Sequence, residues 1–68
     1  MNDDVFNMSI RKYLKTVGVT SQREIEQAVS QALTNGRLAG SESLPVTMTM
    51  HIGRLGLDLS LDGTIDLE

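Results

Sequence analysis

From Val46 to Leu67, apolar and polar residues alternate with a period of two, and no other feature of the chain restricts its fold as much. Successive side chains of a β-strand point to opposite faces, so this period commits the segment to a sheet with one apolar side. Val46, Met48, Met50 and Ile52 alternate with Thr47, Thr49 and His51. Leu55, Leu57, Leu59 and Leu61 follow Gly53-Arg54, and Ile65 and Leu67 follow Asp62-Gly63. The two interruptions have turn composition, which predicts a three-stranded antiparallel meander over about residues 46–52, 55–60 and 64–68.

Facing residues of a hairpin share a face, so parity tests each turn. A two-residue loop at Gly53-Arg54 pairs Ile52 with Leu55, Met50 with Leu57 and Met48 with Leu59, all apolar. A two-residue loop at Asp62-Gly63 sets Leu59 against Asp66 and fails. A three-residue loop, Leu61-Asp62-Gly63, with the glycine in a bulge, pairs Leu59 with Ile65 and is the expected form.

The amino-terminal half has the helical period instead. Behind the caps Asn2 and Asp3, the apolar residues Phe6, Ile10, Tyr13, Leu14 and Val17 recur at intervals of three and four, and Gly18 offers a left-handed stop. Ser21-Gln22-Arg23-Glu24 fits a capping box that opens a second stripe, Ile25, Ala28, Val29, Ala32 and Leu33, closed by Asn35-Gly36. These signals predict a helical hairpin of about residues 3–17 and 21–34. Residues 36–45 gather Gly, Ser and Pro and read as a linker. The expected fold is therefore α+β, a single small domain of residues 1–68 in which the helical hairpin packs on the apolar face of the meander.

Sixty-eight residues without a cysteine leave a small core and neither a disulfide nor a thiolate metal site to reinforce it. Oligomerisation is the remaining common means, and a homodimer or a protein partner is expected. The net charge of −3 argues against a protein that depends on neutralising phosphates. Residues 1–37 nevertheless hold five basic and four acidic side chains, against one and five in residues 38–68. No cationic leader precedes an apolar run and no segment approaches membrane-spanning length, so a cytoplasmic protein without membrane association is expected.

Taken together, Ser9-Ile10-Arg11-Lys12-Tyr13-Leu14-Lys15, the run from Val17-Gly18-Val19 through Thr20-Ser21-Gln22-Arg23-Glu24-Ile25-Glu26, Leu44-Pro45, Met48-Thr49, Leu55-Gly56-Leu57 and the closing Asp62-Gly63, Ile65 and Leu67-Glu68 resemble an uncharacterised family of short bacterial proteins classed as a domain of unknown function. The resemblance spans nearly the whole chain and implies a bacterial cytoplasmic setting. It transfers no activity, ligand or catalytic residue.

Arg11, Lys12, Lys15 and Arg23 form the one basic cluster and are the candidate interaction surface. Two helices joined by a short turn suggest a helix-turn-helix, but Leu14, Glu24 and Gln27 occupy positions where that motif needs a small residue and two apolar ones. Nucleic-acid binding through these four cations is therefore the alternative to a non-enzymatic module acting through self-association or protein–protein contact. On the polar face of the predicted sheet, Thr49, Asp58 and Asp66 fall in one row with His51 diagonal to Asp58. Two carboxylates and one imidazole have the donors for a metal ion or a proton transfer, but a solvated acidic sheet face accounts for them better. No enzyme activity, cofactor, metal or catalytic residue is expected, and a small-molecule ligand is left open.

Overall fold

The computed structural model describes all 68 residues as two compact units, Met1–Arg37 and Leu38–Glu68. The first is a single helix, α1 (Asp3–Thr34). The second is a two-stranded antiparallel hairpin of β1 (Ser43–Ile52) and β2 (Leu57–Asp66), joined by a 3₁₀ turn at Gly53–Leu55.

α1 starts where the caps place it. The Asn2 side-chain oxygen accepts from the backbone N–H groups of Asp4 at 3.0 Å and Val5 at 3.1 Å, and Asp3 and Asp4 put negative charge on the positive end of the helix dipole. The predicted helical hairpin is not present. Gly18 lies inside α1 and lacks the positive φ that a helix stop uses, and Ser21, expected as a cap, is an interior residue.

The physical reason lies in the phase of the two stripes. At about 100° per residue, Ile10, Leu14, Val17, Ser21, Ile25, Ala28 and Ala32 fall on one face, so Ile25, Ala28 and Ala32 of the second stripe continue the first across Gly18, while Val29 and Leu33 lie farther round the helix. An interior glycine costs only about 1 kcal/mol relative to alanine, whereas a break exposes a new set of unpaired carbonyl and N–H groups. The actual stop has the geometry that Gly18 lacks. Gly36 takes φ 74°, Arg37 N donates to Ala32 O at 2.8 Å and Gly36 N to Leu33 O at 3.2 Å, the paired bonds of a Schellman motif.

The three-stranded meander is likewise replaced by two longer strands. β1 begins at Ser43, and its ten rungs run from Ser43 opposite Asp66 to Ile52 opposite Leu57. Leu44 and Pro45 therefore belong to a strand rather than to the linker, and they supply the partners that residues 64 and 65 need without a second reversal. Asp62-Gly63 passes straight through β2, with Gly63 opposite Val46 and no positive φ. Pro45 is tolerated because Leu67 N donates to Glu42 O at 2.9 Å, which fixes the alternation so that the missing N–H faces the free edge of β1.

The first turn is longer than expected, occupying Gly53 to Gly56, with Gly56 left-handed at φ 61° and its N–H donating to Gly53 O at 3.1 Å. Each pairing consequently slides by two residues, and Met50 faces Leu59 rather than Leu57. A slip of two preserves the faces. Leu44–Ile65, Met48–Leu61, Met50–Leu59 and Ile52–Leu57 remain apolar pairs on one side of the hairpin.

These conformations give opposite signs for four alanine substitutions. Gly18→Ala and Gly63→Ala, at sites with negative φ and no steric conflict, should each raise stability by about 0.5–1 kcal/mol, whereas Gly36→Ala and Gly56→Ala should lower it by a similar amount. Thermal melts followed by circular dichroism measure this, and a loss of stability in Gly18→Ala would restore the two-helix reading.

Candidate functional site

The alternation that gives the hairpin an apolar side gives it a polar one as well, where the polar residues of β1 meet those of β2. Ser43 Oγ donates to Asp66 Oδ1 at 2.7 Å, Thr47 Oγ1 donates to Asp62 Oδ1 at 2.8 Å, and His51 Nδ1 is paired with Asp58 Oδ1. Thr49 and Ser60 face each other between two of these rungs, their hydroxyls 3.5 Å apart. The spacing is regular because donors at 43, 47 and 51 and carboxylates at 66, 62 and 58 each recur every fourth residue. Successive rungs lie about 14 Å apart. Each carboxylate is held by a neighbour on the other strand, and all these groups are exposed.

The predicted row of Thr49, Asp58 and Asp66 is corrected by this register. Asp58 stands opposite His51, Thr49 opposite Ser60 and Asp66 opposite Ser43. Eight residues along an extended strand separate Asp58 and Asp66 by about 27 Å, so they share no ligand. The structure contains no group of three or more His, Asp and Glu side chains placed to hold a metal ion. His51 and Asp58 are a solvent-facing pair with side chains 66% and 71% exposed.

A second polar feature lies just before β1. The Glu42 carboxylate folds back onto the loop and accepts from the N–H groups of Ala39 at 2.8 Å, Gly40 at 2.9 Å and Ser41 at 3.1 Å. These bonds, Ala39's first and Gly40's next, hold its pKa below the ordinary value of 4.5. Gly40 makes the cradle possible, since its φ of 103° is a conformation that residues with side chains rarely adopt. Sequence reasoning passes over Glu42 because the linker shows only generic turn composition. The one signal available is an acidic residue directly after a Gly-Ser pair.

Arg11, Lys12, Lys15 and Arg23 all lie on α1, and none of them makes an ion pair, His51 with Asp58 being the one salt bridge in the chain. Lys12 and Arg23, eleven residues apart, align over three turns on the side away from the apolar stripe, with Lys15 beside them and Arg11 at the border of the stripe. The continuous helix brings the four onto one rod rather than around a turn.

A helix of about nine turns and a ten-rung hairpin, with polar groups in exposed pairs, define a small α+β protein. The chain belongs to a family of unknown function, DUF6494, whose family model matches residues 1–68. No curated protein and no solved structure matches it. No helix is long and apolar enough to cross a membrane.

The pH dependence of the Glu42 cradle follows from its sign. A carboxylate whose folded pKa is lowered contributes stability that is complete above its unfolded value near 4.5 and is lost as the pH falls through the folded value. The amide resonances of Ala39 and Gly40 should therefore titrate with a midpoint below 4.5 and stop doing so in Glu42→Gln; a midpoint at or above 4.5 would contradict the cradle.

Proposed function

We propose that this protein is a non-enzymatic module that acts through self-association, with a homodimer as its folded and working form. The observation that carries this reading is the accessible surface. The chain exposes 6039 Å² and has no buried residue, apolar or polar.

Each unit has one apolar side, the stripe of α1 and the face of the hairpin that carries Leu44, Met48, Met50 and Ile52 opposite Ile65, Leu61, Leu59 and Leu57, and no residue on either is buried. Phe6 is 49% exposed, Leu14 53% and Leu61 57%, on a chain too short to spare such groups from its core. The reading includes residence in the cytoplasm of a bacterial cell, which suits a cysteine-free chain and is tested by cell fractionation.

The decisive experiment is sedimentation velocity over a roughly hundredfold concentration range, with circular dichroism in parallel, because an obligate dimer loses structure as it dissociates. The expected result is a folded dimer whose helicity falls when dilution produces monomer. A monomer that stays folded throughout would contradict the reading. A second reading, nucleic-acid binding, is favoured by the four unpaired cations Arg11, Lys12, Lys15 and Arg23 on α1. Salt-dependent retention on heparin that is lost when all four become alanine would support it, and passage without retention would remove it.

A further inference from the structure

We propose that two copies pair through their α1 helices in antiparallel orientation, each stripe covering the other. The proposal rests on the self-association argued above and specifies the surface and its polarity.

The stripe has an unusual period. Phe6, Ile10, Leu14, Val17, Ser21, Ile25, Ala28 and Ala32 repeat every eleven residues, 6 with 17 and 28, 10 with 21 and 32, 14 with 25. Eleven residues over three turns is 3.67 per turn, close to the 3.6 of a straight helix, so the stripe winds only slowly around α1 and two copies stay in contact with little supercoiling. It runs about 39 Å from Phe6 to Ala32. Its amino-terminal part is the more open, with Ile10 40% and Tyr13 64% exposed beside Phe6 and Leu14. These four half-exposed side chains amount to on the order of 500 Å² per copy, so in a pair they alone contribute about 1,000 Å², the least that a specific interface needs, and the rest of the stripe adds to it.

The polarity follows from volume and charge. The bulky side chains Phe6, Ile10, Tyr13 and Leu14 occupy one half of the stripe, and the other holds the small Ser21, Ala28 and Ala32 with Ile25 as its one large residue. A two-fold axis at residue 19 sets Phe6 against Ala32, Ile10 against Ala28 and Val17 against Ser21, so that large meets small at both ends and near the axis, with Tyr13 against Ile25 and Leu14 against Glu24 as the bulkier pairs between. It also brings the Tyr13 hydroxyl toward Glu24, the one ion within the stripe. A parallel pair would stack Phe6 on Phe6, leave a gap between the alanines and force the two Glu24 carboxylates together.

The absence of native cysteine makes the test direct, because a single engineered cysteine carries a single spin label. Dipolar spectroscopy is run on Thr20→Cys, beside the axis, and on Asp4→Cys, at the end of α1. Antiparallel pairing predicts a short distance at 20 and about 45 Å at 4. Short distances at both sites would overturn the polarity. A long distance at 20 in a protein that sediments as a dimer would overturn helix pairing while leaving self-association intact, and a monomer at all concentrations would remove the reading beneath it.

Discussion

Water is a poor neighbour for apolar surface, and a chain that leaves all of its leucines, isoleucines and valines in partial contact with it lacks the main force that holds small domains together. What remains within each unit is largely backbone hydrogen bonding with favourable local chemistry: a capped helix, a Schellman stop, a ten-rung ladder and a loop tied to its own carboxylate. Isolated helices and lone two-stranded hairpins are marginal in water even with such help. The apolar side of each unit is the part of its folding free energy that the unit by itself leaves unused, and the self-association proposed above is the means by which a second chain would supply it.

Both units were recognisable from residue patterns, and where the pattern misled it did so for an identifiable reason. The period of two located the sheet and its apolar face, and the face survived a longer turn because a slip of two changes neighbours without changing sides. What local signals could not rank was a turn against a continuation. Gly18 followed by a capping box, and Asp62-Gly63 between leucines, have the composition of reversals, yet each lies within an element whose pattern continues in phase beyond it. Ser43 to Pro45, which read as linker because residues 36–45 gather Gly, Ser and Pro, form the strand segment whose pairing makes a third strand unnecessary.

The polar residues were legible in identity and less so in arrangement. His51 and Asp58 were expected close together and are direct partners, while Asp66 was placed beside them and lies at the far end of the ladder. That error follows from the turn at 62, since folding the chain there superposes residues that an uninterrupted strand keeps apart. Glu42 was invisible for a different reason. Its partners are backbone N–H groups, which every sequence contains and no sequence marks.

The unpaired edge of β2 bears on how far assembly can go. The backbone groups that face outward there belong to Asp58, Ser60, Asp62, Thr64 and Asp66. Were two such edges to zip together about Asp62 with full overlap, Asp58 would meet Asp66 at either end and Asp62 would meet itself, three encounters of like charge directly across the seam. The same carboxylates that take hydrogen bonds from β1 thus guard the edge against strand-by-strand polymerisation. For a protein proposed to pair with another copy of itself, this edge supplies, on a side open to endless addition, a reason to stop at a closed and finite assembly.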